Sequence, residues 1–126
     1  MANPALAPGA LQKWEQPTVY EDKAAKRAER EATWRKVCAE VDRRDGYACR
    51  ACGSASRTER HEHHHVVYRS RGGEDSTANV CRLCLRCHKL EHAKKLAIEG
   101  NADVALAFFR RDETGAWFLE IGRAHV

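Results

Sequence analysis

From Thr18 to about Arg44 the chain is dense in Ala, Glu, Lys and Arg, and Trp34, Val37, Cys38 and Val41 fall at i, i+3, i+4 and i+7. This spacing predicts a helix with one apolar stripe. Thr18-x-x-Glu21 is a candidate capping box at its start, and Asp45-Gly46 ends it. The stripe reads as a packing face, with Trp34 and Cys38 as packing residues rather than ligands. Residues 62–68, with three histidines, two valines and a tyrosine, predict a short strand. A polar loop turning at Gly72-Gly73 leads to a returning strand over about Asn79–Leu83. A helix is predicted from Cys84 or Leu85 to about Ile98, closed by Gly100-Asn101. Two apolar runs, LAFF and WFLEI, then flank the turn signal Asp112-Glu113-Thr114-Gly115, which predicts a hairpin over the core. In that hairpin Phe108, Phe109, Trp117 and Phe118 read as packing residues rather than base-stacking ones. Residues 1–17 hold all three prolines and little periodicity, and read as a flexible arm.

A length of 126 residues supports one domain with a modest core, where an internal metal crosslink adds stability that apolar area alone does not supply. The predicted organisation after the arm is a helix over 18–44, a cysteine-rich central core over 45–100 and a hairpin over 101–126. No signal-like start and no run of about 20 apolar residues is present, so the expected location is cytoplasmic. In a reducing compartment the paired cysteines read as metal ligands rather than disulfides. The net charge of +4 is mild, but nine basic residues lie between Arg57 and Lys95. That concentration suits a polyanion such as a nucleic-acid backbone, and the alternative reading of some of it is a solvated face offsetting a negative metal site.

Cys49-x2-Cys52 and Cys84-x2-Cys87 have the spacing of one tetrahedral zinc site. Four thiolates saturate zinc and leave no position for substrate, so that site is structural. Neutral imidazoles keep a metal's positive charge and leave positions open for phosphate and water. His88 and His92, at i and i+4 on one helix face, with His64 from a neighbouring strand, supply such a set. His65 is then free to accept a proton from water near neutral pH. A helix N-terminus near His88 would favour the same phosphate. Arg69, Arg71 and Lys89 are candidate phosphate contacts, Arg69 and Arg71 equally readable as a mobile surface loop. Glu62 is either an orienter of a histidine or exposed, and Cys81 reads as a buried thiol rather than a fifth ligand.

In order and spacing, Cys49-x2-Cys52, His64-His65-Val66, Arg69-Ser70-x-Gly72-Gly73, Asn79 and Cys84-x2-Cys87-His88 with His92 resemble the HNH endonuclease family, in its zinc-finger-containing form. The resemblance covers about residues 36–93. It implies an α+β fold: a small ββα-metal, treble-clef-like core stapled by a four-cysteine zinc site, between the N-terminal helix and the C-terminal hairpin. It further implies that His65 is the general base, that His64 and His88 hold a catalytic divalent metal, and that Asn79 braces the loop. His92 matches an additional metal histidine of the colicin-type members. Other zinc-finger members carry aspartate at the position of His64, so Mg, Mn, Ni and Zn all remain candidates for the second ion. Strand alternation puts His63 and His65 on one face, which leaves a His63-His64 register open; the Arg-Ser-x-Gly-Gly anchor favours His64-His65, with His61 and His63 at the surface or near the phosphate path. His125 is unrelated to the site.

The implied activity is hydrolysis of DNA to 5′-phosphate and 3′-hydroxyl ends, with a phage or prophage setting and a partner such as packaging machinery. Two other readings are a zinc-dependent nucleic-acid-binding module without cleavage and a structural or protein-interaction zinc domain.

Overall fold

The computed structural model describes residues 19–120, with side chains from Asp22 onward. The expected arm, the Thr18-x-x-Glu21 box and His125 lie outside those described. Two compact units divide between Thr33 and Trp34, and the first helix, α1 (Val19–Arg44), spans that division. Up to Thr33 the described chain is all helix, with Lys26 and Asp22 paired one turn apart.

From Trp34 onward the second unit begins with the rest of α1. Its stripe is packed as the pattern predicts: Val37 and Val41 bury with Val80, and Trp34 packs beside them. The helix stops in a tight turn in which both Gly46 (φ 64°) and Tyr47 (φ 57°) are left-handed. A non-glycine residue pays for that conformation; Tyr47 holds it with its amide bonded to the Asp42 carbonyl and the Arg82 guanidinium over its ring.

The knuckle follows, then β1 (His61–His65) and β2 (Val80–Cys84), an antiparallel pair in which His64 faces Cys81 and His65 faces Val80. The strand is shorter than the predicted 62–68. At Val66 the chain leaves the ladder for a loop held by Asn79, and it runs through short 3₁₀ turns at Arg69–Arg71 and Thr77–Asn79. Gly73 is fixed by crowding: a Cβ there would collide with the Val67 carbonyl.

The next helix, α2 (Leu85–His92), ends six residues before the predicted Ile98. Lys94 turns left-handed at φ 61°, and Leu96 begins a strand instead. The segment Leu-Ala-Ile, with Leu96 and Ile98 buried and Ala97 less so, has the period of a strand, which its short length masks against a helix. Thus β3 (Leu96–Asn101) joins β4 (Ala105–Arg111) and β5 (Trp117–Leu119) in an antiparallel sheet of order β3-β4-β5. The expected two-stranded hairpin starting at 101 is two-thirds of that sheet. Phe108 packs on the main core, but Trp117 and Phe118 are about half exposed and do not cover it.

That core is small: Ala51, Leu83, Leu96, Ile98 and Ala102 surround the cysteines, and α2 lies against β1, β2 and β3. No helix among the described residues is long and apolar enough to cross a membrane.

Candidate active site and cysteine knuckle

The four cysteines come from two tight turns. Cys49 and Cys52 sit on the turn after α1, where Gly53 is left-handed (φ 78°), and Cys84 and Cys87 sit where β2 passes into α2. Backbone amides aim at sulfur in both: Cys52 N–H donates to Cys49 Sγ and Cys87 N–H to Cys84 Sγ, each at 3.4 Å. All four Sγ atoms lie within 4.8 Å of one another. Cys52 and Cys84 Sγ are 3.7 Å apart, against an edge of about 3.8 Å for a tetrahedron with Zn–S bonds of about 2.3 Å. The donor set fits zinc. Burial raises Cys84 to about 11, while hydrogen bonding from Cys87 draws Cys49 down to about 4 and drives Cys87 itself up. Cys84 and Cys87 therefore resist ionising on their own, and a bound cation would replace their protons. At the start of α2 the Cys87 amide is directed to the Cys84 sulfur.

On β1, alternation sends His64 to one face and His63 and His65 to the other. His64 is buried, at 4% exposure, with its ring 5.5 Å from that of His88. His88 and His92 stand one helical turn apart with their Nε2 atoms 3.0 Å from each other. Two ligands about 2.0–2.1 Å from a shared ion and at right angles would be about 2.9 Å apart, so this pair fits one metal as well. A cavity of about 180 Å³ is lined by these three histidines together with His63, His65, Tyr68 and Arg69. Here the three imidazoles are spaced more loosely than the cysteine quartet.

His65 opens on the same cavity. Its Nε2 lies 2.7 Å from Asp75 Oδ1, and its ring stacks on Trp34 with centroids 4.9 Å apart and 13° between planes. Arg69 completes the group: Nε and Nη2 donate to the two Asp75 oxygens at 2.8 and 3.1 Å, and its guanidinium lies 4.7 Å over Trp34. Asn79 closes the loop that carries Asp75. It accepts from Val67 N–H at 2.8 Å and donates to the carbonyls of Val67 and Glu74, both at 3.0 Å.

Residues 49–94 match the family model described as HNH endonuclease. They form an HNH domain. No curated protein matches the chain, and no solved structure does. HNH domains are generally nucleases that act on DNA and use divalent metals.

Electrostatics of the HNH site follow from burial. His64 is pushed down to about 4, against the pull of Glu91, with His88 and His92 adding to the push; burial, then His92, also lowers His88. Both rings are therefore neutral at pH 7, the form that ligates metal. Hydrogen bonding from Arg69, and then His65, holds the Asp75 carboxyl below its usual range.

Three further residues stand beside the HNH histidines, and the sequence marks them weakly. Asp75 is one carboxylate in a polar loop, with no local signal beyond its proximity to Asn79. Trp34 belongs to the apolar stripe of α1, outside the matched segment, and its role beyond packing depends on contacts far along the chain. Glu91 had a signal, since it lies at i+3 from His88 and so on the same face. It is 8% exposed, takes a hydrogen bond from the Tyr68 hydroxyl, and its Oε2 lies 3.9 Å from His64 Nδ1.

The remaining candidates are also located. Arg69 is engaged by Asp75 and Trp34, which narrows its freedom as a phosphate clamp. Arg71 is exposed, 5.9 Å over the Tyr68 ring, and Lys89 is exposed on α2. His63 pairs with Asp42 at 2.7 Å; His61 Nδ1 accepts from Arg82, and its Nε2 is buried without a partner. Glu62 pairs with Arg60 at 2.9 Å. Cys81 is a fully buried thiol, pushed up to about 12 by burial and outside the quartet.

Proposed function

We propose that the protein is a metal-dependent DNA endonuclease, with His65 as general base, and with His64, His88 and His92 holding one divalent ion. The observation that carries this reading is the Asp75–His65 pair opening on the same cavity as those three histidines. Asp75, an acceptor, takes a hydrogen bond from Nε2–H of His65, which leaves Nδ1 bare to accept a proton from water. Trp34 holds the plane of the ring, and Asn79 holds the loop from which Asp75 reaches it. The proton then rests on an imidazolium stabilised by the carboxylate, as general-base catalysis requires.

His64 directs Nδ1 toward Glu91, which leaves Nε2 as its ligand atom; His88 and His92 present Nε2. A divalent ion held there supplies Lewis acidity, neutralising phosphate charge and stabilising charge on the leaving oxygen. The cut leaves 5′-phosphate and 3′-hydroxyl ends. The four cysteines hold a separate structural zinc, whose saturated thiolate shell offers substrate no position.

Supercoiled plasmid incubated with the purified chain and Mg, Mn, Ni or Zn tests the reading. The expected result is nicked circles with at least one metal, lost in His65→Ala while the fold and DNA binding persist. Binding without nicks under every metal, or undiminished nicking by His65→Ala, would sink it.

A further inference from the structure

A second cavity, of about 250 Å³, adjoins the first. Tyr68 lines both: its ring stacks against His92 (centroids 6.4 Å apart, 21° between planes) and meets His64 edge-on. Beyond it, Val66 and Leu96 give the second cavity apolar wall, Trp117 adds a second aromatic ring, and Arg71 and Lys94 supply charge. Both cations are near the Tyr68 ring, Lys94 at 5.5 Å and Arg71 at 5.9 Å. Two carboxylates line it as well, Glu91, which accepts from the Tyr68 hydroxyl, and Glu99, so the charges balance and what marks the two cations is their place beside the Tyr68 ring.

Trp117 is 44% exposed on β5, at the edge of its sheet, with the Arg111 guanidinium 5.5 Å over its ring. An aromatic pair with apolar wall and adjacent cations is the composition that takes a flat base and its phosphate. The volume lies below the roughly 300–1,000 Å³ of drug-sized pockets, which suits one base rather than a base pair.

We propose that this cavity receives one unpaired base of the cleaved strand, from a nucleotide next to the scissile phosphate, with Arg71 and Lys94 contacting the phosphate that follows. The proposal rests on the histidine cavity being the cleavage site, since Tyr68 shared between the two is what sets the base beside the bond. A base stacked in duplex reaches such a cavity only after leaving its stack, so single strands and unpaired positions are the favoured substrates.

The test uses the full chain and two readouts. Fluorescence anisotropy follows binding of a labelled single strand, of a blunt duplex of the same sequence, and of a single-strand series with one abasic site moved along it. Trp117→Ala should weaken single-strand binding roughly tenfold with little change for duplex, and Trp117→Phe should restore it. Wild type should show one abasic position that weakens binding, and Trp117→Ala none. Lys94→Asn, a residue that tolerates the left-handed backbone there, should reduce the slope of log affinity against log salt by about one. Equal losses on single strand and duplex, or an abasic series with no sensitive position, would overturn the base site. Plasmid nicking by wild type is read separately: its absence under every metal removes the cleavage reading, and the abasic series still decides the base site.

Discussion

Asp75 is the residue whose replacement separates a base in the right tautomer from a histidine that is only nearby. As a carboxylate it can only accept, so it fixes the proton on Nε2 of His65 and leaves Nδ1 bare. Asn in its place can donate through its amide, which favours the opposite tautomer and removes the charge that stabilises the imidazolium. Asp75→Asn is therefore expected to lower the single-turnover nicking rate by about 10²–10⁴-fold, with a thermal midpoint close to wild type; an unchanged rate would remove Asp75 from the chemistry. Trp34→Ala tests the stack by another route, freeing both His65 and Arg69, and should cost rate while the cysteine knuckle keeps its metal, measured by elemental analysis. These two residues show where the sequence stops being informative. His64, His88 and His92 stand out in the sequence because ligand chemistry restricts residue type and spacing, and His65 by its place in the motif, and the four line one cavity; a carboxylate in a polar loop and an indole in an apolar stripe carry no mark of the ring they will touch.

At the level of elements, the loop between β1 and β2 is held at both ends by side chains rather than by a ladder. Asn79 makes three hydrogen bonds within it, and Asp103 accepts from Thr77 Oγ1 and from Arg44 just before it. Hydrogen bonding from Thr77, and then Arg44, holds the Asp103 carboxyl below its usual range. A depressed acid contributes stability that is present above its unfolded pKa, near 3.9, and is lost as pH falls through its folded value. Asp103→Asn should accordingly destabilise by about 0.5–1 kcal/mol at pH 7, little because the group is partly exposed, and by less at pH 3; urea titrations at the two pH values read the difference. The same scale explains which elements were readable. α1 and the β1–β2 pair follow from strong periodicity and a marked turn, with errors of a few residues. In sequence β3 looks like the tail of α2 because Leu96, Ala97 and Ile98 are too few to distinguish period 2 from 3.6, and only the left-handed Lys94 and the pairing with β4 decide it.

For the molecule as a whole, the cysteine quartet occupies the middle of the core rather than its edge. Cys49, Cys84 and Cys87 are buried among Ala51, Leu83, Leu96 and Ile98, so the ligands of the knuckle are also the core's packing atoms. Without a metal that centre is held by weak sulfur contacts, such as the 3.7 Å approach of Cys52 and Cys84, and so few apolar side chains do little to replace it. Structural zinc contributes about 10–16 kcal/mol of apparent binding free energy in small metal-folded units, as much as the whole stability of an ordinary domain, at about 5–15 kcal/mol. Removing zinc should therefore unfold β1, β2 and α2 together, because all three meet at Cys84 or at its neighbours. A strong chelator is expected to abolish the cooperative thermal transition of the second unit, with recovery on adding zinc back. Cys84→Ser should fail to recover and should hold less than one zinc per chain. His64→Ala should keep both the transition and the zinc while losing nicking. A single loss shared by both variants would mean that the two donor sets are not separate sites, and a transition that survives metal-free would assign the knuckle no role in folding.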